Sequence, residues 1–180
     1  MVTVRVDSIG KYKLLGLIGE GGMGSVHIAI DTVLERQVAV KILHSHLCRA
    51  PDMRERFRNE AKTHGKLEHP NIVRVYDFII TEEMLLIAME FVPGGRNLGD
   101  LLQGAPMPQR VACDVLRQSL RGVAFAHAEG VVHRDIKPAN IMIAEERGHL
   151  KPWLTDFGIA KALDTSSMTQ PGSVLGTVDY

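Results

Sequence analysis

The feature that most constrains this chain is a pair of short polar segments, each beside a short apolar run. The first reads His-Arg-Asp-Ile-Lys-Pro-Ala-Asn at 133–140, and the second reads Asp-Phe-Gly at 156–158. Apolar residues at 141–143 and 153–154 predict short buried strands next to them. Turn residues alone explain either segment. Both segments in this order indicate instead two functional loops that share two carboxylates, an amide and an ammonium.

The side chains of these two loops are the groups that phosphoryl transfer requires. Asp156 and Asn140 offer hard oxygen ligands of the kind that Mg²⁺ prefers. Asp135 can accept a hydrogen bond from an attacking hydroxyl, and Lys137 can reach the phosphate that is transferred. The sequence therefore predicts a magnesium-dependent phosphoryl-transfer site.

In combination, these motifs resemble those of the eukaryotic-type protein kinases, specifically the bacterial serine/threonine branch, and the resemblance runs from Tyr12 to Tyr180. It implies an α+β fold of two lobes, 1–91 and 92–180. The N-lobe would be a five-stranded antiparallel sheet plus one helix, and the C-lobe would be mainly helical and incomplete. It also implies transfer of the ATP γ-phosphoryl group to a protein serine or threonine, with ATP and Mg²⁺ as cofactors. The catalytic residues would include Asp135, Lys137 and Asn140, with Asn140 and Asp156 as the metal ligands.

A glycine-rich segment follows a predicted strand at 12–18. The same glycine spacing occurs in dinucleotide-binding folds, where a helix must begin at the last glycine. Here residues 25–30 alternate and are rich in branched side chains, which predicts a second strand instead. The segment therefore resembles the glycine-rich loop of kinases, whose backbone approaches the nucleotide phosphates. The resemblance assigns nucleotide binding to Gly19, Glu20, Gly21, Gly22, Met23, Gly24 and Val26.

One lysine, Lys41, interrupts the apolar strand predicted at 37–43. A charge in such a place is costly unless it is paired, so Lys41 requires an anion. By resemblance it contacts the inner phosphates of the nucleotide and pairs with a glutamate of the helix predicted at 51–67. Glu60 is the expected partner because it lies in the middle of that helix, whereas Glu55 and Glu68 are expected to be solvated.

Two further strands are predicted at 72–80 and 84–91, and the Pro-Gly-Gly at 93–95 marks the boundary between the lobes. By resemblance, the backbone near this boundary binds the adenine and apolar side chains enclose it. The residues assigned to this pocket are Ala39, Met89, Glu90, Val92 and Met142.

Two helices are predicted beyond this boundary, a short one at 98–103 and a long one at 108–129. Apolar residues at helical spacing predict one buried face on the long helix. The residues expected on this face are Val111, Val115, Leu116, Leu120, Val123, Ala124 and His127.

A hydroxyl-rich segment at 164–173 resembles the activation loop of kinases. A phosphate on Thr169 would pair with Arg134, next to the catalytic aspartate, and would order the loop. Thr177 is expected to brace Asp135 and Lys137. The resemblance also implies autophosphorylation of this loop and allows a dimer during that reaction.

The charge balance bears on the partners of the chain. Lysine plus arginine equals aspartate plus glutamate at 21 each, so no basic excess favours nucleic acid or an anionic membrane. Protein substrates with serine or threonine acceptors are expected instead, in the cytoplasm, because the sequence shows no signal peptide or membrane span.

The alanine-proline-glutamate motif of the family is missing before the end at Tyr180, which indicates a fragment or a truncated product.

Two other functions are consistent with the same motifs. A truncated kinase can be an inactive nucleotide-binding or interaction fragment. Measuring both catalytic turnover and nucleotide binding would identify such a fragment. A small-molecule phosphotransferase is the other, and Lys137 argues against it because by resemblance this lysine marks serine/threonine protein kinases.

Overall fold

The structure is a computed structural model, and it describes residues 8–21, 24–44, 51–81, 84–103 and 105–157. The chain forms two compact units. The first contains the described residues up to Arg58 together with Val75–Phe91, and the second contains Asn59–Arg74 and the described residues from Val92 onwards. The sequence assigns 59–74 to the first lobe, and that assignment stays a prediction.

The first unit is built on an antiparallel sheet with the strand order β1-β2-β3-β4-β6-β5. Its strands are β1 (Ser8–Ile9), β2 (Tyr12–Gly21), β3 (Gly24–Asp31), β4 (Arg36–Leu43), β5 (Val75–Ile80) and β6 (Leu85–Glu90). The five expected strands are all present. β1 is an additional strand of two residues, which is too short to show an alternating pattern in the sequence.

The two faces of this sheet have different roles, because successive residues of a strand point to opposite faces. One face forms the hydrophobic core of the unit, with Tyr12, Ala29, Val38, Val40, Leu86 and Ala88 fully buried. The first helix, α1 (Pro51–His64), lies against the other face, where Phe57 packs edge-on against Phe78 with ring centroids 5.9 Å apart. Lys41 is directly opposite Ile87, the cross-strand partner of Phe78, and so lies on this second face.

Helix α1 ends at His64, three residues before the predicted end. Gly65 donates its backbone N–H to the Ala61 carbonyl at 2.9 Å, and the N–H of Leu67 turns back to the His64 carbonyl at 3.0 Å. The chain therefore leaves the helix at the glycine, and Leu67 is buried in the core of the second unit.

The second unit combines helices with a small sheet. Its further helices are α2 (Leu98–Leu102), α3 (Gln109–Ala128) and a 3-10 turn at Pro138–Asn140, and its strands are β7 (Arg96–Asn97), β8 (Ile141–Glu146) and β9 (His149–Leu154). The core between α3 and the β8–β9 hairpin contains Leu67, Ile72, Val115, Ala126, Ile141, Ile143, Leu154 and Phe157. Both loops that carry the candidate residues start or end at these two buried strands.

The predicted buried face of α3 is only partly correct. Val115 is buried and Val111 and Val123 pack against the core, but Leu116, Leu120, Ala124 and His127 are exposed. The fully buried positions include the small residues Ser119, Gly122 and Ala126. A Cβ atom at Gly122 would lie 3.1 Å from the Asn71 carbonyl oxygen, so the helix approaches that backbone more closely than large side chains would permit.

None of the helices in the described part of the chain is both long and apolar enough to cross a bilayer.

Candidate active site

The loop between α3 and β8 holds three of the predicted catalytic side chains together. The Lys137 ammonium lies 2.9 Å from Asp135 Oδ2. Asn140 Nδ2 donates to the same Oδ2 and to the Asp135 backbone carbonyl, both at 2.9 Å. Asp135 is therefore fixed by a cation and an amide, and Oδ1 of Asn140 is the atom of that amide that can bind a metal.

The sequence of this loop explains its sharp local geometry. Arg134 adopts a left-handed backbone conformation with φ of 66°, which turns the chain just before Asp135. Pro138 begins the 3-10 turn, where its fixed φ is favourable, and Asn140 N–H closes that turn on the Lys137 carbonyl at 2.9 Å. The turn at Arg134 and the 3-10 turn thus bring the side chains of residues 135, 137 and 140 to one place.

His133 joins this loop to the second predicted loop. Its Nε2 lies 2.9 Å from the Thr155 carbonyl oxygen, and the Asp135 N–H points at its Nδ1 at 3.3 Å. A carbonyl can only accept and an N–H can only donate, so these partners require a neutral ring with its hydrogen on Nε2. Burial lowers the pKa of His133 despite the carbonyl, which favours the same neutral form.

Asp156 follows Thr155 directly, at the end of β9. Thr155 N–H donates to the Asn140 backbone carbonyl at 3.0 Å, so the two predicted metal ligands come from adjoining segments. Asp156 itself is left-handed, with φ of 60°, and is partly buried. The fold thereby gives an aspartate and an asparagine, both hard oxygen donors, to the same region of the second unit.

Phe157 is buried between two histidine rings. Its ring centroid lies 4.4 Å from that of His133 and 5.2 Å from that of His64. Both nitrogens of His64 lie buried without a hydrogen-bond partner in the described part of the chain. Burial lowers the pKa of His64 to about 4, so this ring packs as a neutral aromatic group.

The electrostatic environment keeps Asp135 ionised. Partial burial acts to raise the pKa of this carboxyl, but hydrogen bonds from Lys137 and Asn140 outweigh it and hold the pKa below its usual range. At neutral pH Asp135 is therefore a hydrogen-bond acceptor, which can bind a hydroxyl group by accepting its hydrogen.

The first unit collects a second group of predicted residues on one face of its sheet. Lys41 pairs with Val26 across the strands, and Ala39 pairs with Met89. Because Ala39 and Lys41 are two residues apart on β4, all four side chains lie on the same face. Gly19 is opposite Val26 and Gly21 is opposite Gly24, so the glycines lie in the β2–β3 hairpin beside this face.

The other predicted residues are spread more widely. Glu20 lies in β2, Glu90 ends β6, Val92 is buried just after it, and Met142 lies in β8 of the second unit. Arg134 is exposed beside Asp135. The side chain of Glu60 is outside the described part of the chain, as are Gly22, Met23, Thr169 and Thr177.

Two contacts near the glycines were not predicted from the sequence. His44 Nε2 lies 3.2 Å from the Gly21 carbonyl oxygen, and His27 Nε2 lies 2.8 Å from Ser25 Oγ. The contact of His44 links the end of β4 to the end of β2. A local sequence pattern does not predict a contact between residues of two different strands.

Comparison with known proteins agrees with these motifs. The family model described as "Protein kinase domain" matches residues 12–180. Serine/threonine-protein kinase PknA of Mycobacterium tuberculosis is 43% identical over 98% of this chain and 42% of its own length. Serine/threonine-protein kinase PrkC of Bacillus subtilis is 40% identical over 95% of this chain and 26% of its own length. This chain thus spans less than half the length of either relative.

Solved structures lead to the same family. The crystal structure of the Mycobacterium tuberculosis PknI kinase domain superposes with a TM-score of 0.71 at 28% identity. The match covers 86% of this chain and 62% of that structure. The α+β kinase fold expected from the sequence is therefore confirmed, and the chain belongs to the protein kinase domain family.

Proposed function

We propose that this chain carries the nucleotide-binding and catalytic-loop parts of a serine/threonine protein kinase, which transfers the ATP γ-phosphoryl group to a protein hydroxyl. The observation that carries the proposal is the arrangement around Asp135, whose Oδ2 lies 2.9 Å from both the Lys137 ammonium and the Asn140 amide nitrogen. A fixed, ionised carboxylate beside a cation is what an incoming hydroxyl and a transferred phosphoryl group need.

The residues present fit a magnesium ion. Asp156 and Asn140 are hard oxygen donors, and the bond from Thr155 N–H to the Asn140 carbonyl holds their segments together. These two side chains would bind the ion, which would neutralise charge on the phosphates when bound.

The chemistry of the loop follows from its charges. Asp135 accepts a hydrogen bond from the substrate hydroxyl and directs its oxygen at phosphorus, and the proton passes to Asp135 as the new oxygen–phosphorus bond forms. The bond to the leaving ADP breaks in the same displacement. Lys137, already beside Asp135, is the cation that offsets negative charge on the phosphoryl group as it moves.

Most of the residues proposed to hold the nucleotide lie in the first unit. Lys41 would contact its inner phosphates and pair with Glu60, and the glycine-rich segment 19–24 would supply backbone amides to the phosphates. The apolar part of that face offers Val26, Ala39 and Met89 to the adenine. The remaining residues proposed to contact nucleotide are Glu20, Glu90, Val92 and Met142.

Regulation forms part of the same proposal. Phosphorylation of Thr169, by the kinase itself, would give Arg134 an anionic partner, because Arg134 lies exposed next to Asp135. Thr177 would brace the Asp135–Lys137 pair. The reaction would take place in the cytoplasm on serine or threonine residues of protein substrates.

Replacing the central carboxylate tests the proposal. Asp135→Asn should reduce transfer of labelled γ-phosphate to a generic protein acceptor by about 100-fold or more, because an amide cannot take the proton. Nucleotide affinity, measured with a fluorescent ATP analogue, should change less than about twofold. Asp114→Asn is the matched control, because its side-chain hydrogen bonds in the described structure come from Arg117 and Gln118 on α3.

Three results would contradict the proposal or favour another function. Transfer near the wild-type rate in Asp135→Asn contradicts the assignment of the catalytic loop. Nucleotide binding without any transfer in the wild-type protein supports an inactive nucleotide-binding fragment instead. Transfer to small hydroxyl compounds but not to protein supports a small-molecule phosphotransferase.

A further inference from the structure

His44 is positioned to control the glycine-rich hairpin from outside the strands that form it. It lies one residue beyond β4, and its Nε2 is 3.2 Å from the carbonyl oxygen of Gly21, at the end of β2. A carbonyl oxygen only accepts hydrogen bonds, so Nε2 must be the donor. The contact joins two residues that are 23 positions apart in sequence.

Gly24 makes this contact geometrically accessible. It pairs with Gly21 on β2 and with Leu43 on β4, so it lies between Gly21 and the end of β4. A Cβ atom at Gly24 would lie 2.0 Å from the Ile42 carbonyl oxygen and 2.8 Å from Leu43 Cα. The missing side chain therefore lets β3 lie against the end of β4, which brings His44 within reach of Gly21.

A second histidine of the hairpin, His27, lies on the face opposite the candidate nucleotide residues. Ser25 and His27 pair with Ile42 and Val40, so their side chains point away from the face that carries Val26 and Lys41. His27 bonds to Ser25 Oγ on its own strand at 2.8 Å. That bond does not join strands, whereas the bond from His44 does.

We infer that His44 is a positioning residue for nucleotide binding, which acts by tying the Gly21 carbonyl at the end of β2 to the end of β4. The bond links the end of the hairpin that carries Gly19, Gly21 and Gly24 to the end of β4, the strand that carries Lys41. The inference rests on the proposed kinase function and deepens it, because it assigns part of the nucleotide affinity to a residue outside the glycine-rich segment.

Steady-state kinetics of the purified protein test this role. His44→Ala should raise the KM for magnesium-ATP by about 2- to 10-fold, the effect of losing one neutral hydrogen bond, and should leave kcat within about twofold. His44→Gln retains an N–H donor and should recover at least half of the lost affinity. His27→Ala is the matched control and should leave the KM for ATP unchanged.

Amide hydrogen exchange supplies a readout of the hairpin itself. In His44→Ala, exchange should become faster in a peptide covering residues 19–26, and should stay unchanged in a peptide covering 85–90 of β6. An unchanged KM in His44→Ala overturns the inference, as does a KM raised equally by His44→Ala and His27→Ala. A fall in kcat at constant KM overturns it too, because it places His44 in the transfer step. If the wild-type protein neither binds ATP nor transfers phosphate, the proposed function fails first, and that result is distinct from an active enzyme that ignores His44.

Discussion

Among single residues, His133 connects the two loops of the second unit through its side chain, beside the backbone bond from Thr155 to Asn140. Its neutral ring donates from Nε2 to the Thr155 carbonyl and accepts from the Asp135 N–H at Nδ1. One bond therefore ends beside the proposed metal ligand Asp156 and the other at the proposed base. The ring also packs on Phe157, so packing and hydrogen bonding act through the same side chain.

Substituting His133 by phenylalanine separates these two contributions. His133→Phe retains an aromatic ring against Phe157 but leaves the Thr155 carbonyl and the Asp135 N–H without this partner. The expected result is a kcat lowered by about tenfold or more, which corresponds to roughly 1.4 kcal/mol. The melting temperature of the variant, measured in parallel, shows whether the protein is still folded. An unchanged kcat in a folded variant would show that these hydrogen bonds do not position the loops.

His64 makes a different prediction, about stability and pH. Its buried ring has a pKa of about 4, whereas an unfolded imidazole titrates near 6.5. Below pH 6.5 the unfolded chain gains a proton that the folded chain does not take up, so the free energy of unfolding falls as the pH drops toward 4. The loss from this single group is at most about 3 kcal/mol.

The variant His64→Leu removes that titration and also the two ring nitrogens, which have no hydrogen-bond partner among the described residues. Urea titrations between pH 7 and pH 4.5 should show a weaker pH dependence than in the wild-type protein, although His133 will contribute a remainder. At pH 7 the variant should be more stable by about 1 kcal/mol or more, because a buried polar group without a partner is lost. The exposed His127 provides the control, and His127→Leu should retain the full pH dependence. Equal slopes for both variants would contradict the prediction.

At the scale of elements, helix α3 shows what the sequence does and does not predict. Its existence and approximate bounds follow from periodicity, and the structure places it at Gln109–Ala128. The buried face does not follow, because Leu116 and Leu120 have the helical spacing of a core face and are nevertheless exposed. Burial depends on which side of the helix meets β9 and residues 71–72, and a helical pattern alone does not identify that neighbour.

The small residues of α3 permit a direct test of this packing. Gly122→Val would place side-chain atoms close to the Asn71 carbonyl oxygen and the Leu154 side chain, each 3.1 Å from a Cβ at that position. Overpacking of this kind costs about 1–3 kcal/mol, which should lower the melting temperature. Ala124→Val, two residues away on the exposed side, should cost only about 0.5 kcal/mol from helix propensity. Similar losses at both positions would contradict the tight approach.

The candidate site was more predictable than the packing around it. Asp135, Lys137 and Asn140 are near in sequence, and loop chemistry alone brings them together, as the structure shows. The role of His133 as a bridge and the contact from His44 to Gly21 depend on segments brought together by folding. Cross-strand contacts of this kind follow from register, which single-sequence patterns do not determine.

At the scale of the whole molecule, the proposed functional groups are divided between two units of the chain. The first contains Lys41 with Val26, Ala39 and Met89 on one face of its sheet. The second contains Asp135, Lys137, Asn140 and Asp156, the proposed catalytic residues and metal ligands. If the proposed function is correct, activity must depend on charged groups of both units, although each unit has its own hydrophobic core.

The lysine of the first unit tests this dependence. Lys41→Met retains an unbranched side chain on the partly buried face of β4 but removes the ammonium proposed to contact the nucleotide phosphates. Transfer of γ-phosphate to protein should fall by about 100-fold or more, since a cation that offsets phosphate charge contributes several kcal/mol to the transition state. The affinity for magnesium-ATP should also weaken, which distinguishes this variant from Asp135→Asn. Lys13→Met changes an exposed lysine of β2 and should leave transfer and affinity within about twofold of wild type. Transfer by Lys41→Met at the rate of Lys13→Met would show that the charge of Lys41 does not contribute to the reaction.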